Sequence, residues 1–326
     1  MPKCYELKRM RLLILLFILP VYLYGQSAIE DAQNLISKKQ FVAAEQLLAD
    51  YVGTHEDDKQ AIELLGDAYG HQRKWDEAIV EYKKLVKKEP NNADYHYKYG
   101  GAMGMKALSV SKLKALGLVG DIKRAFKKAA ELDPNHIDAR WALVELYVSL
   151  PGIIGGSTSK SLKYAEELEQ ISKVDGYLAK GYVYEYDDEP ELAEEYYLKA
   201  IKVGGSLTCF EKLTNLYESQ NQPNKAISNI EKAQQKHQRN ALHYQIGKVS
   251  ADYNVQLDKG EMCLNAYLSN YSAADGVPKE WAYYRLAQIY KHKKDKDKAL
   301  EHINKALSIK ADFKQALKEK SAILKL

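Results

Sequence analysis

The residues whose types most clearly suggest a chemical function form a run of small and hydroxyl-bearing side chains at 155–160, Gly-Gly-Ser-Thr-Ser-Lys. Glycine-rich loops hold phosphate groups when they follow a strand and have the order Gly-x-x-x-x-Gly-Lys-Ser/Thr. Here the order differs, and the segment follows a helical pattern instead of a strand. Backbone amides at the start of the next helix could still hold an anion. We nevertheless interpret the segment as a connector between two helices.

The sequence contains no motif for metal binding or for nucleophilic catalysis. The eight histidines are scattered, no two have the i, i+4 spacing of a helical metal site, and no HExxH or CxxC motif occurs. No Ser-His-Asp or Cys-His signature is recognisable. Acid pairs such as Asp187-Asp188 and Glu194-Glu195 fall on polar helix faces and are interpreted as solvated. We therefore expect no enzymatic activity, no cofactor and no metal site.

The predicted helices recur along the chain at a fixed interval. Ala44 and Ala78 are 34 residues apart, and so are Gly66 and Gly100. Self-similarity at this period is typical of helical repeat proteins. Within residues 59–92, the small side chains of Gly66 and Ala78 are predicted to face each other where the two helices of one repeat cross.

Other residues of the same repeat complete the pattern. Tyr69 and Tyr82 are expected to fill the space between successive repeats, and Pro90 cannot continue the second helix. The segment resembles a tetratricopeptide repeat (TPR), and the pattern recurs about eight times between residues 26 and 326. The resemblance implies an all-α fold, a right-handed superhelix (α-solenoid) of about eight TPR helix-turn-helix repeats. Residues 312–326 are predicted to form a C-terminal capping helix.

Two segments depart from the regular repeat. The interval from Pro90 to Pro134 is about ten residues longer than a repeat, and we assign the extra residues to a longer hairpin within 105–121. A Pro/Gly cluster at 150–159 interrupts the fourth repeat and predicts a loop. A Pro-Gly-Ile-x-Gly-Gly loop beside a lengthened repeat resembles a group of exported bacterial TPR proteins.

The N-terminus has the order of a secretory signal peptide. Basic residues precede an apolar run from Leu12 to Leu19, and small residues follow at Gly25 to Ala28. We predict cleavage after Gly25, or else after Ser27, so that residues 1–25 are lost. The apolar run is shorter than the roughly 20 residues of a membrane-spanning helix, and no stable span is expected after cleavage. The protein would be exported, to the periplasm or beyond.

The net charge and the cysteines bear on nucleic-acid binding and on disulfide formation. The whole chain carries a net charge of +4, of which residues 1–25 contribute +3, so the remainder is close to neutral. This balance gives no support for nucleic-acid binding. Cys209 and Cys263 lie inside helical patterns, and we predict that both are buried free thiols.

A candidate binding surface follows from the TPR resemblance, which places the first helix of each repeat on a concave face. The residues at the exposed positions of these helices are rich in aromatics with acids between them. They form the predicted partner-binding groove: Tyr97, Trp141, Glu145, Tyr182, Glu185, Tyr186, Tyr244, Trp281 and Tyr284. Aromatic side chains give a large contact area at low entropic cost.

The groove lacks the Lys, Arg and Asn set with which some TPR proteins bind a C-terminal carboxylate. Two function classes remain open. The first is a scaffold of the cell envelope that binds a peptide or protein partner. The alternative is a protein that binds cell-wall or other glycans by stacking sugars on its aromatic rings.

Overall fold

A computed structural model describes residues 28–326, which form helices and no strand. The chain divides into two compact units, the first ending at Tyr164 and the second running from Ala165 to Leu326. The helices that begin in the first unit are α1 (28–37), α2 (Phe41–Thr54), α3 (Lys59–His71), α4 (Trp75–Lys88), α5 (Ala93–Ser109), α6 (Lys112–Leu132), α7 (Ile137–Ser149) and α8 (Thr158–Ile171). Those of the second are α9 (Lys173–Tyr186), α10 (Pro190–Val203), α11 (Leu207–Ser219), α12 (Pro223–His237), α13 (Asn240–Tyr253), α14 (Leu257–Ser269), α15 (Lys279–His292), α16 (Lys296–Ile309) and α17 (Lys314–Ile323). Taken in chain order they make eight helix-turn-helix repeats followed by one further helix, which confirms the predicted all-α fold class.

Helix starts are encoded locally. Asp58, Asn92 and Asp295 each precede a helix and accept a hydrogen bond from the backbone N–H three residues on, at 3.1, 3.2 and 3.1 Å. Such caps satisfy one of the amides that a helix leaves unpaired at its first turn. Pro190 and Pro223 occupy the first positions of α10 and α12, where their missing N–H costs nothing.

The turn between the two helices of a repeat has one recurring geometry. Arg73, Asp188, Asn221 and Lys294 all adopt left-handed backbone conformations, with φ between 53° and 61°. The N–H of the residue that follows each of them donates to a tyrosine carbonyl in the preceding helix, at 2.8–3.0 Å, the acceptors being Tyr69, Tyr184, Tyr217 and Tyr290. This is the closure of a Schellman-type helix end, and it fixes the angle at which the second helix leaves.

A glycine on the first helix of a repeat gives space to a large side chain on the second. A Cβ atom added to Gly66 would lie 2.7 Å from the Tyr82 ring, and one added to Gly181 would lie 2.5 Å from the Tyr197 ring. The Tyr82 ring is therefore the nearest neighbour of Gly66 on α4, and Ala78 belongs to the same core cluster. Tyr82 also lies beneath the ammonium group of Lys98 on α5, so it contacts the next repeat as well as its own hairpin.

The hairpin of α5 and α6 is longer than its neighbours. α5 has 17 residues and α6 has 21, against 13 in α3 and 14 in α4. The corresponding contact is between Gly100 and Phe126, which are 26 residues apart, whereas Gly66 and Tyr82 are 16 apart. The ten additional residues therefore lie between the contact and the turn, where they lengthen both helices.

The connection between α7 and α8 contains a short 3-10 turn at Gly152–Ile154. Gly155 has φ +95°, and a Cβ atom on Gly156 would lie 1.6 Å from the carbonyl oxygen of Leu150, so the backbone passes too close for any side chain. The Ser157 hydroxyl accepts from the Lys160 N–H at 3.2 Å and caps α8. The segment that resembles a phosphate loop therefore serves as a turn and a helix cap.

Cys209 and Cys263 are both buried and unbridged, in agreement with their positions in the helical pattern. Burial raises the pKa of the Cys263 thiol to about 11. The predicted signal peptide lies outside the described residues. Among residues 28–326, no helix combines the length and apolar content needed to cross a bilayer.

Candidate functional site

In the first unit, the predicted groove residues have unequal exposure. Tyr97 is half-buried, with its ring centroid 5.9 Å from that of Phe126 and 5.1 Å from that of His136. Burial raises the pKa of Tyr97, as expected for a ring that packs against its neighbours. Trp141 is half-buried on α7, and Glu145 lies one turn further along the same helix and is exposed. Tyr97 therefore contributes to packing more than to an open surface, whereas Glu145 is accessible.

In the second unit, Tyr182 and Tyr186 lie one turn apart on α9. Their ring centroids are 6.2 Å apart, and Tyr186 is 55% exposed. The ammonium group of Lys212, on α11, lies 5.5 Å from the Tyr182 ring centroid. Glu185 lies between Tyr182 and Tyr186 in sequence, but it accepts a 2.7 Å hydrogen bond from the buried Tyr197 hydroxyl. Its carboxylate is therefore engaged within the protein.

Three of the predicted aromatics do not line an open surface. Tyr244 is 5% exposed and Tyr284 is 9% exposed. Trp281 is half-buried, because Phe313, at the start of α17, lies against its ring with a centroid distance of 4.6 Å. Neighbouring side chains therefore cover all three.

The acids of the first helices are largely paired with the next first helix. Asp67 accepts from Lys98 at 2.8 Å, Glu218 accepts from Lys248 at 2.9 Å, and Asp252 pairs with Arg285. Burial alone would lower the pKa of Lys98, but its ion pairs with Asp67 and Glu63 outweigh this and raise it. The acidic character predicted for the groove is thus reduced by lysine and arginine side chains that the concave-face reading had not paired with these acids.

A depression of about 650 Å³ lies in the second unit, between α11 and α13. We call it the α11–α13 groove, and the polar residues that line it include Glu211, Asn215, Glu218, Gln245, Lys248 and Asp275. Drug-sized and peptide ligands occupy pockets of this size.

The groove is held open by its surroundings. Ser206 caps α11 by accepting from the Cys209 N–H at 3.4 Å. The side chain of Asn240 donates to the carbonyl of Tyr267 at 3.1 Å and to the carboxylate of Asp275 at 2.9 Å, which ties the start of α13 to the turn after α14. The groove also has apolar lining, from Phe210, Ile230 and Ala233, which are buried.

Polar groups in the groove differ in their availability. Glu218 and Lys248 neutralise each other, as described above. Asn215 and Glu211 are exposed, and within the described residues neither forms a side-chain hydrogen bond or an ion pair. An exposed carboxamide can donate and accept at once, and a free carboxylate attracts a cation.

None of the nine predicted groove residues lines this groove, although Glu211, Asn215, Glu218 and Lys248 lie on the first helices of two repeats. Asp275 was missed, because it belongs to a short 3-10 turn at Ala273–Asp275 outside the repeat pattern. Its Ser272-x-x-Asp275 capping box was the available signal. Among the described residues, no group of three His, Cys, Asp or Glu side chains could hold a metal ion.

Comparison with known families identifies the repeats. Family models described as TPR repeat or tetratricopeptide repeat match residues 66–106, 174–203 and 280–313. The chain therefore contains tetratricopeptide repeats, which are protein-interaction scaffolds. No curated protein sequence matches the chain.

Solved structures with similar folds include proteins described as TPR proteins. A tetratricopeptide repeat protein from Parabacteroides merdae ATCC 43184 is 14% identical with a TM-score of 0.50, and the match covers 92% of this chain and 98% of that one. YrrB, described as a TPR protein with an unusual peptide-binding site, is 21% identical with a TM-score of 0.43, over 61% of this chain and 99% of its own. PilF from Pseudomonas aeruginosa is 14% identical with a TM-score of 0.42, over 71% and 99%. At these identities the similarity concerns the fold alone.

Proposed function

We propose that this protein is a non-enzymatic scaffold of the cell envelope that binds a peptide or protein partner in the α11–α13 groove. The observation that carries the proposal is the combination in one open depression of apolar lining with exposed, uncommitted polar groups. The TPR repeats support the general class of function. The groove lies between the first helices of two successive repeats.

The chemistry of the groove suits an extended peptide segment. Asn215 can both donate to and accept from a peptide backbone, whose N–H and C=O groups need partners once they leave water. Glu211 would favour a Lys or Arg side chain on the ligand. The apolar lining around Phe210 and Ile230 would take one apolar side chain. On α9, Tyr186 would extend the contact, because its ring is the most exposed of the predicted aromatics.

Removing Asn215 should weaken peptide binding without affecting the fold. Peptides selected from a random library against the protein should bind the Asn215→Ala variant about fivefold more weakly, because an amide that pairs with the peptide backbone typically contributes about 1 kcal/mol. Tyr186→Ala should weaken binding to a similar or larger degree. Isothermal titration calorimetry measures both, and circular dichroism should show unchanged helix content.

The matched controls lie on second helices. Asn304→Ala on α16 and Leu198→Ala on α10 remove exposed side chains of the same kinds and should leave affinity unchanged. Glu194, which the sequence predicted to be solvated, accepts a 2.8 Å hydrogen bond from the Tyr217 hydroxyl, so that prediction is wrong and the residue is unsuitable as a control. If the Asn215 and Tyr186 variants bind the selected peptides like the parent, the groove is not the binding site.

The envelope location is part of the proposal and rests on the N-terminal sequence. If residues 1–25 are a signal peptide, N-terminal sequencing of the protein from its native host should begin at Gln26, or at Ala28 for the second cleavage position. Recovery of a chain that still begins at Met1 from a soluble intracellular fraction would contradict export. The binding experiments above would be unaffected by that result.

The glycan alternative has lost most of its basis. It required a row of accessible rings for sugar stacking, and Tyr244, Trp281 and Tyr284 are covered by neighbouring side chains. Retention of the protein on purified peptidoglycan would revive it. We therefore propose peptide or protein binding as the function of this protein.

A further inference from the structure

The closed end of the α5–α6 hairpin carries the largest concentration of exposed apolar side chains in the first unit. We define the hairpin tip as residues 105–118. Leu108 is 83% exposed and Leu113 is 81% exposed, on opposite sides of the turn. Met105 and Leu116 are each nearly half exposed. Exposed apolar clusters of this kind in a soluble protein mark a surface that is covered in use.

The four side chains are arranged as two short stripes. Met105 and Leu108 are three residues apart near the end of α5, and Leu113 and Leu116 are three residues apart at the start of α6. Residues at this spacing lie on the same side of a helix. Ala107 and Leu118 pack instead against the core cluster that contains Met103 and Phe126. The hairpin tip is therefore anchored by one side and leaves the other apolar side without a partner.

The charge of the hairpin tip has a single sign. Residues 105–118 contain three lysines and no acid. Lys106 pairs with Asp76, but Lys112 and Lys114 are exposed on either side of Leu113, and neither forms an ion pair within the described chain. Lysine is depleted in the cores of protein–protein interfaces, whereas apolar residues flanked by lysine are typical of elements that enter an anionic membrane surface.

The length of the hairpin agrees with such a role. α5 and α6 exceed α3 and α4 by between 3 and 8 residues. At about 1.5 Å per residue, the excess corresponds to roughly 5–12 Å of helix. Interfacial elements typically bury their apolar face to a depth of about 5–10 Å at the boundary of headgroups and acyl chains. A tip of this length could bury Leu108 and Leu113 while the rest of α5 and α6 stays in water.

We infer that the hairpin tip binds the surface of an anionic lipid bilayer, with Leu108 and Leu113 inserted and Lys112 and Lys114 at the headgroups. This surface belongs to the first unit and is independent of the α11–α13 groove. Its function would be to hold the protein at a membrane while the second unit binds its partner. The chain would then be peripheral to the membrane.

Vesicle binding tests the inference. The protein without residues 1–25, which contain no part of the described fold, should sediment with phosphatidylcholine vesicles that include phosphatidylglycerol, and less with phosphatidylcholine alone. The Leu108→Ser/Leu113→Ser variant should lose at least about tenfold in partitioning, because two apolar side chains no longer enter the bilayer. Lys112→Gln/Lys114→Gln should weaken binding at low salt and reduce its dependence on salt.

The control removes exposed leucines elsewhere. Leu192→Ser/Leu198→Ser changes two partly exposed leucines on α10 and should sediment like the parent. A fluorophore attached to the new cysteine of a Leu113→Cys variant should shift its emission to shorter wavelength when anionic vesicles are added. Cys209 and Cys263 are buried and would not be labelled. Three results would overturn the inference: no sedimentation of the parent, equal sedimentation of the hairpin-tip variant, or a dimer that the leucine substitutions convert to monomer without any effect on vesicle binding. The last result would identify the hairpin tip as a contact between two copies of the chain.

Discussion

Gly100→Ala should destabilise the protein, whereas Gly101→Ala should stabilise it, although the two residues are neighbours in α5. A Cβ atom at Gly100 would lie 2.9 Å from the Phe126 ring and 3.1 Å from the Cβ atom of Ala125. At Gly101 no atom lies within 4 Å. The same methyl group therefore meets a packed core at one position and open space at the other.

The expected magnitudes follow from two opposing effects. Overpacking a core costs about 1–3 kcal/mol, and replacing a helical glycine by alanine returns about 0.5–1 kcal/mol. The free energy of unfolding should thus fall by up to about 2.5 kcal/mol for Gly100→Ala and rise by about 0.5–1 kcal/mol for Gly101→Ala. Chemical denaturation of both variants and the parent measures these differences.

A second substitution isolates the cause. Phe126→Leu should cost less in the Gly100→Ala background than in the parent, because the smaller side chain relieves the clash. If Gly100→Ala and Gly101→Ala change stability in the same direction, the glycine at position 100 is not needed for the approach of the two helices. The packing described for all three glycine contacts, at Gly66, Gly100 and Gly181, would then need revision.

The protein should lose stability steeply above about pH 10, the ordinary pKa of tyrosine. Four buried tyrosines donate their hydroxyl hydrogen to a carboxylate: Tyr82 to Asp67, Tyr197 to Glu185, Tyr217 to Glu194 and Tyr290 to Glu261. Burial and then the neighbouring carboxylate raise the pKa of each of these tyrosines well above the ordinary value.

The sign of the effect is fixed by which state keeps the proton. Above about pH 10 these tyrosines ionise in the unfolded chain but stay protonated in the folded one, so the folded state binds more protons. Their contribution is complete below that pH and declines as the pH rises toward the folded-state pKa. Each such tyrosine can remove up to about 1.4 kcal/mol of unfolding free energy per pH unit. Lysines with raised pKa, such as Lys98, act in the same direction.

Urea denaturation at a series of pH values measures the slope, and Tyr197→Phe provides the comparison. The variant lacks one ionisable hydroxyl, so its stability should fall less steeply between about pH 9 and pH 11. Ultraviolet absorbance should show these tyrosines ionising together with unfolding. A titration of all tyrosines near pH 10 in the folded protein, or a free energy of unfolding that does not change over this range, would contradict the prediction.

The sequence predicted the repeats because their cause is local. Spacings of small residues, such as that between Gly66 and Gly100, follow directly from the need for close helix contacts. The nearest partner of each glycine was harder to infer, since Ala78 and Tyr82 on the second helix are both within reach of Gly66. The rotation of the helix decides which of the two lies nearer, and periodicity defines that rotation only within a few tens of degrees.

The candidate site was predicted less well, for a related reason. Helical spacing shows on which side of a helix Tyr244 and Trp281 lie, but it does not show what covers them. Phe313 reaches Trp281 from α17, a helix outside the regular repeat. Exposure of Leu108 and Leu113 was equally invisible, because it depends on where the neighbouring helices end.

The contacts that hold this chain together are short in sequence. Gly66 and Tyr82 are 16 residues apart, Tyr197 bonds to a carboxylate 12 residues earlier, and the Asp67–Lys98 ion pair spans 31. A chain with such local contacts closes small loops as it folds, so its folding rate should be high for its length. Each hairpin can form once its own residues are available, which allows folding to start in more than one hairpin and to spread to its neighbours.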